Sequence, residues 1–140
     1  MQTLLTAHGD DIKGVWAAND NMALGALEAL RAAGKAGKVP IVGGDAVPEA
    51  LDEIKSGANG YLATVTTDPW WQGAAALALG YQAAIGEYDV DAADHAQRAF
   101  YGTQFLVTKD NVNEYSKAPT FDQLKPDLDD PFKRSTGAIE

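Results

Sequence analysis

Three short apolar runs in this chain of 140 residues end in side chains suited to handling hydroxyl groups. The runs lead into Asn19-Asp20, Gly43-Gly44-Asp45 and Thr66-Thr67-Asp68. An asparagine amide both donates and accepts, a carboxylate accepts two or more donors, and a threonine hydroxyl does either. Such groups converging from three places suit a ligand with many hydroxyls. Asp20 and Asp68 also read as helix caps, because each immediately precedes a helical pattern. Capping explains Asn19 and Asp45 less well, since Asp45 stands three residues before Pro48. Asn19, Gly44, Asp45 and Thr67 are therefore the ligand-binding candidates. Trp70 and Trp71 add a stacking surface, because the CH face of a pyranose packs well on indole. Adjacent helical residues point about 100 degrees apart, so at most one of the two indoles faces a ligand and at least one packs elsewhere.

Other reactive types lead nowhere. His8, Asp10 and Asp11 lack a further His or Glu at ligand spacing and read as a solvated turn, while His95 has no evident partner. Trp16 reads as strand core. The chain carries no G-x-S-x-G, H-E-x-x-H, phosphate loop or G-x-G-x-x-G. No catalytic residue, metal or cofactor is expected, and the chain reads as a non-enzyme.

The elements that must position the candidates alternate between strand and helix. Val15 to Ala18 is a short apolar run, and residues 20–33 place Leu24, Leu27 and Leu30 on one helical face before Gly34. Val39 to Gly43 is almost continuously apolar, as a strand covered on both faces requires. Pro48 then opens a second helix that ends at Gly57. A third strand, Tyr61 to Thr66, ends at Asp68-Pro69, where another helix starts and runs toward Gly86. The rhythm breaks after position 87, with an acidic connector, one strand within Phe100 to Thr108, and a tail holding three of the six prolines. Strands alternating with helices predict an α/β fold with a doubly wound parallel sheet, whose ligands bind at the carboxyl ends of the strands. Those ends are where the candidate residues stand.

Composition narrows the function classes. A hydrophobic content of 46% with 22% charged residues belongs to a globular chain rather than a disordered or collagen-like one. Eleven Lys+Arg against twenty Asp+Glu give a net charge of -9, which repels phosphate backbones and makes nucleic acid an unexpected partner. Cysteine is absent, so disulfides and thiolate metal sites are excluded. No apolar run approaches the roughly 18 residues of a spanning helix. The opening MQTLLTAHGDD lacks the basic start, apolar stretch and cleavage site of a secretory signal.

Four segments agree in order and spacing with one known family. NDNMALGALEAL (19–30), PIVGGDAVPEALDEIKSG (40–57), LATVTTDPWWQG (62–73) and FLVTKDNVNEY (105–115) resemble the C-terminal half of the type I periplasmic sugar-binding proteins of ABC transporters, the ribose-binding-protein-like group. The resemblance implies two doubly wound lobes closing over a sugar in the cleft between them. It places Asn19 and Asp45 at positions whose side chains hydrogen-bond sugar hydroxyls. Two departures stand out. Gly44 replaces the aromatic residue usual before the Asp, and Thr67 stands where a Gln is common, so ribose itself is disfavoured.

The same resemblance implies an incomplete lobe. Residues 1–108 correspond to part of the C-terminal lobe, including a helix at 68–86 that belongs to the other lobe in the full-length family, and 109–140 form an extended, proline-containing tail. Met1 then begins mid-domain. The full-length protein is expected in the periplasm, delivering a sugar or polyol to a membrane permease. The fragment is expected to associate, either with a complementary N-terminal half or as a homodimer. An effector-binding domain of a lac-repressor-like regulator is the alternative, as is a fragment without independent ligand binding.

Overall fold

The computed structural model describes residues 1–139. In chain order the elements are α1 (Gln2–His8), a 3-10 turn (Gly9–Asp11), β1 (Val15–Trp16), α2 (Asp20–Ala32), β2 (Ile41–Gly44), α3 (Pro48–Ser56) and β3 (Tyr61–Thr66). They continue with α4 (Pro69–Ala84), α5 (His95–Arg98), β4 (Phe100–Gly102), β5 (Phe105–Thr108), α6 (Val112–Tyr115), α7 (Phe121–Asp129) and β6 (Ser135–Ala138). The chain divides into two compact units, one formed by Met1–Thr66 with Leu106–Lys117, the other by Thr67–Phe105 with the residues from Ala118 onward. It therefore passes from one unit to the other three times.

The first unit is built on a sheet of order β1-β2-β3-β5. β1, β2 and β3 run parallel, with Val15 beside Ile41 and Gly43 beside Thr64. Parallel neighbours need crossovers, which α2 and α3 supply. Pro48 sits at the start of α3 and Gly57 ends it in a left-handed conformation, φ 67°, which its missing Cβ permits. The leucines of α2 reach the core at their predicted spacing. Leu27, Leu30, Ile41, Ile54, Tyr61 and Val107 form one buried cluster between helices and sheet. Each large aliphatic there contributes about 1.5–3 kcal/mol of burial.

Trp16 departs from its expected place in the core, being 81% exposed. Strand side chains alternate between faces. Val15 packs against the core cluster, so its neighbour Trp16 turns to the opposite face, where Leu62 and Leu106 are also exposed.

In the second unit α4 packs against α7, and β4 pairs antiparallel with β6, Tyr101 opposite Gly137. The single strand expected within Phe100 to Thr108 is thus two, since β4 pairs with β6 and β5 joins the larger sheet. Gly102, where β4 ends, has no room for a side chain, because an added Cβ would come closer than 3.0 Å to the Trp71 ring. Residues 109–139 also depart from the extended reading, since they contain α6, α7 and β6. α7 forms despite Pro126 inside it, which removes one N–H from the helical ladder. Its first turn is held by the Gln123 side chain, which accepts from the Thr120 N–H at 2.8 Å. Farther along, Lys125 pairs with Asp129 one turn on.

Candidate functional site

In the first unit the sheet brings Asn19, Gly44 and Asp45 to the carboxyl ends of the neighbouring strands β1 and β2. Asn19 has extended backbone and caps α2, its Oδ1 accepting from the Met22 N–H at 2.9 Å. Its amide nitrogen makes no hydrogen bond among the described residues and keeps its donors for another partner. A Cβ added to Gly44 would lie 3.9 Å from the Asn19 Cα, so the two positions are in contact distance. Asp45 follows with φ 101° and Ala46 with φ 56°, backbone conformations that residues with a Cβ seldom adopt. The Asp45 side chain is exposed and accepts no hydrogen bond from another described residue.

Asp20 does not act as the cap its position suggested. Because Asn19 caps the helix, Asp20 is its first residue, and its carboxylate is wholly buried. Oδ1 accepts from the Tyr61 hydroxyl at 2.7 Å and the Thr64 hydroxyl at 2.8 Å, while Oδ2 accepts from the Val47 N–H at 3.0 Å. A buried carboxylate needs this many donors to offset lost hydration. Burial, then the hydrogen bond to Asp20 and its charge, push the Tyr61 phenol far above its ordinary 10.0. A raised folded-state value means that this stability is whole below pH 10 and is lost as the pH rises beyond it. Urea unfolding should therefore show stability falling as the pH rises above about 10. Tyr61→Phe should flatten that decline while removing about 1–2 kcal/mol at neutral pH. An equally steep decline in the variant would contradict the assignment.

The other candidates fall in the second unit. Asp68 caps α4, its side chain accepting from the Trp71 N–H at 3.2 Å, and its backbone is left-handed with φ 48°. The Thr67 carbonyl accepts from the Gln72 side chain at 3.0 Å. Trp70 is 54% exposed, whereas Trp71 is only 4% exposed. The Trp71 ring meets Phe100 edge-on at 6.5 Å and lies 5.8 Å from the Arg134 guanidinium. With Ala75, Leu79 and Phe100 it lines a cavity of about 290 Å³, and its Nε1 has no hydrogen-bond partner among the described residues. Mostly apolar walls of this kind suit packing better than a sugar's hydroxyls. His8, Asp10 and Asp11 lie at the exposed 3-10 turn, where Asp10 pairs with Lys35.

Residues 1–88 match the family model described as a periplasmic binding protein domain. The chain belongs to that family. It is 54% identical over 57 residues to the ribose import binding protein RbsB of Salmonella typhimurium, a match covering 41% of this chain and 19% of that protein. Among solved structures, a twin-arginine translocation pathway signal protein from Burkholderia phytofirmans superposes on 99% of this chain and 42% of its own, at TM-score 0.83 and 38% identity. An ABC transporter solute binding protein from Bacillus halodurans C-125, solved with bound myo-inositol, covers 82% of this chain and 36% of its own at TM-score 0.67 and 40% identity. The chain spans less than half the length of each. The expected resemblance to periplasmic sugar-binding proteins and the α/β class with a parallel sheet both hold.

Within this periplasmic binding protein domain, reading the sequence assigned no role to three residues that shape the strand ends. Gly43, Tyr61 and Thr64 surround the Asp20 carboxylate, and an added Cβ on Gly43 would come closer than 3.0 Å to Asp20 Oδ1 and the Tyr61 hydroxyl. The signal was available: β3 places hydrogen-bonding side chains at Tyr61, Thr64 and Thr66, and all three are buried. Polar residues on a covered face need buried partners, and Asp20 is that partner for Tyr61 and Thr64.

Proposed function

We propose that this chain is part of the solute-binding component of an ABC transporter, taking a sugar or polyol, and that Asn19 and Asp45 bind its hydroxyls. The observation that carries the reading is the pairing of an unengaged carboxylate, Asp45, with the free amide donors of Asn19 at adjacent strand ends. Acceptor and donor side by side match a hydroxylated ring, each of whose hydroxyls donates and accepts. The relatives agree in chemistry, one being a ribose import protein and another holding myo-inositol.

In the full-length protein the ligand would lie in a cleft between lobes, with Gly44 leaving space and Thr67 contributing a hydroxyl from its side. Trp70 is the better stacking candidate, because its ring is exposed while that of Trp71 is packed away. Leu77 and Tyr81 on α4, exposed here, would pack in the other lobe. That complete protein would work in the periplasm, without catalysis, by presenting its ligand to a membrane permease. The exposed apolar side chains on sheet and helix favour association with a complementary N-terminal half, or a homodimer of the fragment. The regulator reading has no observation of its own.

Calorimetric titration of the full-length protein with D-ribose, D-allose, D-galactose, xylitol and myo-inositol tests the assignment. At least one should bind, and Asp45→Ala should weaken it by about 10–100-fold, the loss of hydrogen bonds to a charged acceptor. Failure of all five to bind would remove the solute reading. Unchanged affinity in Asp45→Ala would remove Asp45 from the site.

A further inference from the structure

The backbone at Asp45 and Ala46, directly after Gly43-Gly44, is strained twice over, at φ 101° and 56°, at the residue that carries the unengaged carboxylate. Strain of this kind persists only where surrounding bonds over-determine it. Three successive amides are fixed here, each by a different group. The Asp45 N–H donates to the Val65 carbonyl at 2.8 Å, the Ala46 N–H to the Thr64 hydroxyl at 3.2 Å, and the Val47 N–H to Asp20 Oδ2 at 3.0 Å. Thr64 donates its own proton to Asp20 Oδ1 and so turns a lone pair to Ala46. Tyr61 donates to the same oxygen and holds that carboxylate in place.

We infer that Asp20, Tyr61 and Thr64 are positioning residues for the solute site, a buried relay that sets the direction of the Asp45 carboxylate. The inference rests on the reading of Asp45 as a ligand contact. A network serving only the core would have no reason to end on the two amides that follow Asp45. Binding geometry held in advance spares the ligand the cost of ordering the segment, so loosening it should weaken affinity without touching any ligand-contacting atom.

Thr64→Val keeps side-chain shape and deletes the hydroxyl, so it is the direct test, with D-ribose and myo-inositol as probes in the full-length protein. Affinity for whichever probe binds should fall about tenfold, the loss of an oriented hydrogen bond. In an Asp45→Ala background the same substitution should change affinity less than about twofold, because coupled residues are not additive. Thr64→Ser, which keeps the hydroxyl, should restore binding. Amide exchange at Ala46 should quicken at least about tenfold in Thr64→Val while that at Val107 holds, a readout that needs no ligand. Wild-type affinity in Thr64→Val, or an equal loss in the Asp45→Ala background, would overturn the inference. Should Thr64→Val not fold, Tyr61→Phe replaces it with the same expectations of direction and non-additivity. If neither of these probes nor D-allose, D-galactose or xylitol binds the wild type, the solute reading fails by itself, and unaltered Ala46 exchange in the variant then overturns the relay separately.

Discussion

Gly43→Ala should cost the first unit about 3 kcal/mol or more and dismantle the hydrogen bonds around Asp20. Gly43 is outside the left-handed region, so backbone freedom is not what requires glycine there. Space is. The added methyl would sit closer than 3.0 Å to both Asp20 Oδ1 and the Tyr61 hydroxyl, and within 3.2 Å of the Ala23 Cβ. None of these neighbours can withdraw freely, because Asp20, Ala23 and Tyr61 are all buried. Overpacking alone costs about 1–3 kcal/mol, and displacing a buried carboxylate from its donors adds a comparable amount. Against a total stability of about 5–15 kcal/mol this is a severe loss. Amide exchange in α2, β2 and α3, which belong to the first unit, would measure it. Gly44→Ala is the control, since its nearest atom, the Ala18 carbonyl oxygen, would be 3.3 Å away and calls for only a small adjustment. Equal stability of Gly43→Ala and wild type would show that the packing around Asp20 is looser than described.

Arg134→Ala should destabilise the second unit by about 3 kcal/mol, the lower end of the range for removing one partner of a buried ion pair. The guanidinium bridges two carboxylates, Nη1 donating to Asp68 and Nη2 to Asp127. Burial works against its charge, but the hydrogen bonds it donates to Asp127 and Asp68 outweigh that and hold the Arg134 pKa above its ordinary value. Asp127 is only 3% exposed, so without Arg134 it becomes a buried charge lacking its cation. The Arg134 side chain itself is 24% accessible, which lets solvent relieve part of the loss. Arg134 also covers the rings of Trp71 and Phe105, at 5.8 and 6.0 Å, contributing a cation–π attraction. Lysine should recover little, since one ammonium cannot reproduce a planar fork that reaches both acids. Amide exchange resolved by residue would read the effect, with protection falling at β4, α4 and α7 and unchanged at β2 and α2. Removing Asp127 as well, in Arg134→Ala/Asp127→Ala, should recover part of the stability. Destabilisation of the double variant by the sum of its parts would deny the pairing.

Much of the local structure was legible in the sequence. α3 begins at Pro48 and stops before Gly57, and α4 begins at Pro69 after the Asp68 cap, because these signals act within a single turn. The strand-helix alternation was readable for the same reason, and it placed Asn19 and Asp45 at strand ends. The split between β4 and β5 was not legible, since both halves of Phe100 to Thr108 have strand character and only their distant partners separate them. α7 was hidden by Pro126, whose local effect opposes a helix that packing against α4 stabilises.

What the amino-acid order determined by itself was the family, the α/β alternation and the identity of the polar residues closing each strand, all of which depend on neighbours within a few positions. Tertiary structure alone decided their roles. It made Asn19 a cap and Asp20 a buried acceptor, turned Trp16 outward and Trp71 inward, and joined Asp20 to Thr64 across 44 positions. The physical reason is that burial and hydrogen-bond partnership depend on what the fold brings alongside a residue. No local pattern records that the space above Gly43 is already filled by a carboxylate and a phenol.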